Sequence, residues 1–240
     1  VPPAEMERRA RALGAQTGFP FEAALRGKDI AFICEVKKAS PSKGVIALEF
    51  PYRQIALDYE AAGAAAVSVL TEPAYFQGAD AYLSDIAAAV GIPVLRKDFT
   101  VDSYMIYEAR TLGAAAVLLI AALLDGDPLR DYIGVAHSLG LSALVEAHTA
   151  EETEVAVKAG ARIIGVNNRD LRTFQVDTGN CLRLRPLVPR SVLFVAESGV
   201  RTAADIDRLR AGGVDAVLVG ETLMRAPDRK AALAALRGTP

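Results

Sequence analysis

One junction recurs along this chain and limits what it can fold into: an amphipathic stretch ends in glycine and runs directly into a short apolar segment. It is seen in Ala62-Gly63-Ala64-Ala65-Ala66-Val67-Ser68-Val69-Leu70 and in Leu112-Gly113-Ala114-Ala115-Ala116-Val117-Leu118-Leu119-Ile120. It returns in Ala159-Gly160-Ala161-Arg162-Ile163-Ile164-Gly165-Val166 and Gly212-Gly213-Val214-Asp215-Ala216-Val217-Leu218-Val219, and Gly91 and Gly140 open two more. Glycine accepts the left-handed backbone conformation that closes a helix. A continuous apolar run after it suits a strand covered on both faces. Helix, glycine and buried strand therefore form the repeating unit. Eight strand candidates follow, at 30–36, 65–70, 94–96, 115–120, 143–145, 163–166, 192–196 and 216–219. Helical patterns such as Tyr52-Arg53-Gln54-Ile55-Ala56-Leu57-Asp58-Tyr59-Glu60 lie between them, which is the alternation of an α/β fold with a parallel sheet.

Units of roughly 26 residues, eight in number, fit a (β/α)8 TIM barrel of about 250 residues, and the chain has 240. An open doubly wound sheet is the competing architecture. It would carry a G-x-G-x-x-G turn after the first strand, where this chain has Glu35-Val36-Lys37-Lys38-Ala39-Ser40-Pro41-Ser42-Lys43-Gly44. The barrel is the expected fold. No linker or low-complexity tract divides the chain, so a single domain over 1–240 is expected, with 30–240 as barrel and 1–29 as an N-terminal helical extension. The pattern Met6-Glu7-Arg8-Arg9-Ala10-Arg11-Ala12-Leu13 reads as a helix packing over one mouth of the barrel.

Composition removes several classes of function. Lys plus Arg is 27 and Asp plus Glu is 29, a formal net charge of −2, with no basic patch to neutralise a nucleic-acid backbone. The longest apolar run, 112–124, stops at Asp125, short of the roughly 18 residues of a membrane span. Val1-Pro2-Pro3-Ala4-Glu5-Met6 has no basic segment leading into an apolar one, so the expected compartment is the cytoplasm. Cys34 and Cys181 lie far apart in apolar surroundings and read as small hydrophobes. No H-E-x-x-H, EF-hand or zinc spacing is present, so the chemistry is expected to need no metal.

In a barrel of this kind, chemistry sits where strands end and βα loops begin. Ionisable groups recur at those places: Glu35 and Lys37 after the first strand, Arg96-Lys97-Asp98 after the third, Glu146 after the fifth, Asn167-Asn168-Arg169-Asp170 after the sixth, and Glu197-Ser198 after the seventh. The two-residue period of a strand puts Glu35 and Lys37 on one face and Cys34 and Val36 on the other. A purely structural Glu35–Lys37 pair would bear a desolvation cost of several kcal/mol per ion, which favours a functional reading. His137 falls in a helical pattern and His148 two residues beyond Glu146; neither is assigned a role. Near the C-terminus, Glu197-Ser198-Gly199-Val200 and Gly220-Glu221 supply glycines that let backbone N–H groups approach an anion after the seventh and eighth strands. A phosphorylated small molecule is the implied substrate.

The segment from Glu35 to Gly44 resembles the signature of the indole-3-glycerol-phosphate synthase family. The resemblance continues through Val69-Leu70-Thr71-Glu72, Tyr75-Phe76-Gln77-Gly78, Leu95-Arg96-Lys97-Asp98-Phe99, Leu144-Val145-Glu146, Gly165-Val166-Asn167-Asn168-Arg169-Asp170-Leu171, Ala196-Glu197-Ser198-Gly199 and Val219-Gly220-Glu221. It implies a barrel that converts 1-(2-carboxyphenylamino)-1-deoxyribulose 5-phosphate to indole-3-glycerol phosphate, carbon dioxide and water without a cofactor. By residue matching, Lys97 is the acid of ring closure, Lys37 and Glu35 assist dehydration, and Glu146 is a further acid/base or a stabiliser of the cationic intermediate. The same matching puts Asn167 and Glu197 near the sugar hydroxyls and Arg169 near the carboxylate. Ser40, Ser198, Gly199 and Gly220 fall at the phosphate, and Pro41, Phe76, Phe99 and Leu218 in the slot for the aromatic ring. Glu221 departs from the pattern, where a small hydroxyl residue suits a phosphate better, so its backbone N–H is expected to bind while its side chain turns away. The segment before the first strand is shorter than the resemblance leads one to expect, so the covering helix is expected to be incomplete and substrate affinity reduced. A monomer or weak homodimer is expected.

Three rivals stay open at this stage. Phosphoribosylanthranilate isomerase would need a cysteine at the first strand's mouth, and Cys34 faces away from it. A Schiff-base aldolase would use Lys97 or Lys37 as a nucleophile. A catalytically dead barrel could survive as a metabolite sensor or scaffold, against which stand the intact Glu35, Lys37, Lys97 and Glu146.

Overall fold

The alternation closes on itself. A computed structural model describes residues 1–124, 126–170 and 173–238; Asp125, Leu171 and the last two positions of the expected 30–240 barrel lie outside the described residues. Among these, the barrel strands are β1 (Ala31–Val36), β2 (Ala66–Leu70), β3 (Val94–Lys97), β4 (Ala116–Ile120), β5 (Ser142–Ala147), β6 (Ile163–Asn167), β7 (Leu193–Glu197) and β8 (Ala216–Val219). Each is parallel to the next, and β8 returns to β1 with Ala216 opposite Ala31. This is a TIM barrel, as expected. A short hairpin, Ala39–Ser40 against Gly44–Val45, rises from the loop after β1.

The glycine junctions behave as their chemistry dictates. Gly113, at φ +89°, and Gly160, at φ +84°, stop their helices and turn the chain into β4 and β6. Gly91 is an exception: the helix Asp80–Ala89 ends through an extended Val90 instead of a left-handed glycine.

Strand periodicity sorts the side chains into two layers. Ile33, Ala66, Leu95, Ala116, Leu118, Leu144, Ile163, Val195 and Leu218 fill the barrel interior. Cys34, Val36, Val67, Val117, Val145, Ile164 and Val217 face the surrounding helices. Both cysteines are buried and unpaired, and burial pushes the Cys34 thiol up to about 12.

The extension before β1 is where structure and expectation part. Helix Pro3–Ala12 does not cover a mouth; it lies on the barrel flank against helix Ser103–Thr111. Thr111 Oγ1 donates to Met6 Sδ at 3.5 Å, and Arg110 donates to the carbonyls of Leu13 and Gly14. The reason is the width of its apolar stripe. Met6 and Ala10 are its buried positions, one turn apart, enough for a groove between helices and too little for an open barrel end. The following helix, Pro20–Leu25, does close an end. Phe21 and Leu25 pack into the interior cluster, while Glu22 pairs with Arg162, just ahead of β6, at 2.8 Å. That makes it a plug at the N-terminal floor, opposite the rim where the strands end.

Strand limits differ from expectation in an informative way. Pairing continues past the last apolar residue and takes in the polar residue that follows: Lys97 pairs with Leu70, Glu146 with Ile120 and Gly165, and Asn167 with Glu197. Those side chains therefore project from hydrogen-bonded ladder positions instead of loops.

Candidate active site

A cavity of about 660 Å³ opens at the C-terminal rim, and Glu35, Lys37, Lys97, Glu146, Asn167 and Glu197 all reach into it. They come from β1, β3, β5, β6 and β7, in phase with the apolar interior below them, so the barrel changes from hydrophobic to charged over one residue layer.

Lys97 is the centre of this layer. Its Nζ lies 2.9 Å from Glu146 Oε2 and 3.5 Å from Glu197 Oε2. Asn167 Nδ2 donates to Glu146 Oε1 at 3.2 Å. Burial works against the ammonium, but Glu146 and Glu197 outweigh it and raise the Lys97 pKa above the usual lysine range. Burial likewise opposes the Glu146 anion; Lys97, His148 and Asn167 reverse that and hold its carboxyl below the usual range. Glu197 goes the other way. Burial, only partly offset by Lys97 and reinforced by the Glu146 charge, pushes it up to about 8. Two carboxylates around one ammonium cannot both ionise freely, and the asymmetry assigns the negative charge to Glu146.

Glycines make room for these groups. A Cβ on Gly165 would collide with Glu197 Oε1, which is buried there without a hydrogen-bond partner among the described residues. A Cβ on Gly220 would collide with Glu35 Oε1 and stand 3.1 Å from Lys37 Nζ. Beneath Gly220, Glu35 of β1 and Lys37, one residue past its end, form an ion pair on the side that the strand period gives them both.

One wall of the cavity is apolar. Phe76 and Phe99 pack with ring centroids 6.1 Å apart and planes tilted by 51°, and Pro41, Leu118, Ile120 and Leu218 complete the slot. Phe76 is held there by the buried Glu72 carboxylate, which accepts the backbone N–H groups of Ala74, Tyr75 and Phe76 at 2.8, 2.6 and 3.1 Å.

Opposite lie the loops after β7 and β8. Ser198 and Gly199 adopt successive left-handed conformations, φ +66° and +84°, and Asn168 Nδ2 donates to the Ser198 carbonyl at 3.1 Å. A non-glycine residue held in that region is strained, a feature that concentrates at functional sites. Ser40 and Gly220 line the same end. Glu221 turns its carboxylate to Arg225 at 3.1 Å, Lys43 at 3.7 Å and Arg169 at 4.0 Å. Arg169 also donates to the Phe174 carbonyl at 3.3 Å, which places it above the rim.

The structure thus brings every sequence-predicted site residue to one cavity. Arg96, at the end of the third strand candidate, is not among them: it turns outward to Asp80 at 2.8 Å and Glu108 at 2.9 Å. Leu118, Ile120 and Phe174 are among the lining residues that sequence reasoning missed. The first two were legible, since they alternate on the apolar run 115–120 at the spacing that faces the rim. It also passed over His148, whose Nε2 lies 3.5 Å from Glu146.

A family model described as indole-3-glycerol phosphate synthase matches residues 2–236. The chain belongs to that family. A relative of that name from Ruminiclostridium cellulolyticum is 61% identical over 221 residues, covering 92% of this chain and 85% of its own. Another, from Leuconostoc mesenteroides, is 50% identical over 236 residues, 98% of this chain and 90% of its own. Among solved structures, a mutant tryptophan synthase α-subunit from Pyrococcus furiosus superposes with a TM-score of 0.67 at 13% identity, covering 88% of this chain and 99% of that one. Thiamine phosphate pyrophosphorylase from the same organism gives 0.65 at 19%, covering 89% and 96%. At such identities these two speak for the barrel alone. As a member of the indole-3-glycerol phosphate synthase family the chain is a decarboxylating lyase of tryptophan biosynthesis that acts on a phosphorylated small molecule. Among the described residues no helix is long and apolar enough to cross a membrane.

Proposed function

We propose that this cavity performs the family reaction with Lys97 as the acid of ring closure. The aniline ring carbon that bears the carboxylate attacks the ribulose carbonyl, whose oxygen must take up a proton as the bond forms. Lys97 is suited to give it, because the Glu146 carboxylate beside it keeps its ammonium charged inside the barrel. Carbon dioxide then leaves, and loss of the hydroxyl as water needs one acid and one base. Glu35 and Lys37, paired beneath Gly220, are assigned to that step, and Glu146 to stabilising the cation that precedes it.

The remaining assignments follow the lining. The aromatic ring enters the slot of Pro41, Phe76, Phe99 and Leu218, as an apolar pocket with a few polar groups would take it. The phosphate meets the Ser40 and Ser198 hydroxyls and the backbone of Ser198, Gly199, Gly220 and Glu221, with Lys37 shared. Asn167 and Glu197 serve the sugar hydroxyls, and Arg169 the carboxylate. The reading keeps a single domain over 1–240, a cytoplasmic enzyme without cofactor or nucleic-acid partner, and a monomer or weak homodimer.

The observation that carries this reading is Lys97 Nζ held between the buried Glu146 and Glu197 side chains at the edge of an apolar slot, a setting that favours its ammonium form. It also separates the reading from a Schiff-base aldolase, whose lysine must be neutral to attack a carbonyl. The test is indole fluorescence on adding the carboxyphenylamino ribulose phosphate to the purified chain. Lys97→Ala should lose about 10²–10⁴-fold in kcat with a modest change in KM, the usual contribution of a positioned acid. Near-normal turnover in that variant, or a borohydride-stable adduct on Lys97 with a keto-sugar phosphate, would sink the assignment.

A further inference from the structure

His148 follows β5 by one residue and is not among the residues lining the cavity, yet its imidazole reaches the catalytic layer at Glu146. Nε2 stands 3.5 Å from Glu146 Oε1 and Nδ1 stands 3.4 Å from Glu152 Oε2. Nε2 is buried and has no hydrogen-bond partner among the described residues. The ring is aimed by its own backbone: the His148 N–H donates to Glu152 Oε2 at 2.6 Å, and its carbonyl accepts from Asn180 Nδ2 at 3.0 Å. Glu152 sits in the first turn of helix Ala150–Lys158, capped by Thr149, so the anchor is itself fixed.

Each imidazole nitrogen therefore faces a carboxylate. A ring oriented this way can donate toward Glu146 only from Nε2, the atom left without a partner. Glu146 has use for such a contact. Among the described residues it accepts from Lys97 at Oε2 and from Asn167 at Oε1, and a carboxylate oxygen has acceptor capacity for a second donor at Oε1.

We propose that His148 is a positioning residue: held by Glu152, it restrains Glu146 Oε1 from outside the cavity so that Oε2 stays on Lys97. The inference rests on the role given above to the Lys97–Glu146 pair. It differs from a merely structural role in which His148 fastens the β5 turn through Nδ1 and Glu152.

The two nitrogens can be replaced separately. His148→Gln sets an amide nitrogen near Nε2, His148→Asn sets one near Nδ1, and His148→Leu keeps bulk without either. Measured by indole fluorescence, His148→Gln should stay within about threefold of wild type, while His148→Asn and His148→Leu lose about tenfold in kcat with KM changed by less than about twofold. In a Glu146→Gln background, His148→Asn should cost nothing further, because the restrained carboxylate is gone. The proposal is overturned if Asn performs as well as Gln, or if the Asn loss persists undiminished beside Glu146→Gln. Should Leu fail to fold, the Asn and Gln pair still decides. Full turnover by Glu146→Gln alone would instead overturn the underlying reading of the pair, and wild-type rates in all three His148 variants beside an impaired Glu146→Gln would overturn only this inference.

Discussion

Gly165→Ala adds one methyl group at a place where the barrel has no room for it. The new Cβ would land on Glu197 Oε1 and stand 3.2 Å from both Glu197 Cδ and Leu144 Cδ1. Neither neighbour can leave the interior, since Leu144 is fully buried and Glu197 is 2% exposed. The carboxylate must retreat by on the order of 1 Å to recover van der Waals contact. Overpacking of this kind costs about 1–3 kcal/mol. At about 2 kcal/mol, a chain of this size loses about 4–8 °C in Tm. The same retreat disturbs the 3.5 Å contact between Glu197 and Lys97, and a misplacement of about 1 Å near reacting groups costs about 10²-fold in rate. Calorimetry and the fluorescence assay read the two effects together. Gly134→Ala is the control: that glycine lies in helix Gly126–Ser138 with nothing near its missing Cβ, so helix propensity should stabilise the variant by up to about 1 kcal/mol. If Gly165→Ala kept both the wild-type Tm and the wild-type kcat, the claim that this glycine sets the position of Glu197 would be wrong.

Ser198→Ala removes a hydroxyl from the loop after β7 while leaving its backbone donors, so KM should rise severalfold, by about 1 kcal/mol of binding, with kcat little changed; a fall in kcat at constant KM would contradict the phosphate assignment. The raised pKa of Glu197 also carries a stability signature. The folded chain holds this proton to about pH 8 while the unfolded chain releases it near 4.5, so the native state binds more protons in between and loses stability as pH rises through that window. Glu197→Gln removes the effect, and urea midpoints of wild type and variant should diverge between about pH 4.5 and 8; parallel profiles would show that Glu197 is an ordinary carboxylate.

The barrel was legible because its grammar is local. Glycine at Gly113 or Gly160, followed by an unbroken apolar run, needs no tertiary knowledge to be read as a helix end and a buried strand. The rim was legible for the same reason: Glu35, Lys97, Glu146, Asn167 and Glu197 each follow an apolar strand, and strand period fixes their side. What escaped depends on packing between distant segments. Nothing in Met6–Leu13 says whether its narrow stripe meets a flank or a mouth, because that is decided by the groove beside Tyr107 and Thr111. Arg96 turned outward because Asp80 and Glu108, on two different helices, offered it partners there. His148 lay outside the strand and looked incidental, and only the neighbouring helix carrying Glu152 gives its ring a direction.

The plug formed by Phe21 and Leu25 has a bearing on traffic. With the floor closed by their helix, the described residues form a cup that opens at the rim, and the substrate enters and its products leave on that side. Gas, water and the indole product then meet the same doorway, to whose frame Phe76, Ser198 and Arg169 belong. Their order of exit is then a property of that doorway, and swapping a side chain on its frame could alter throughput while leaving bond-making untouched.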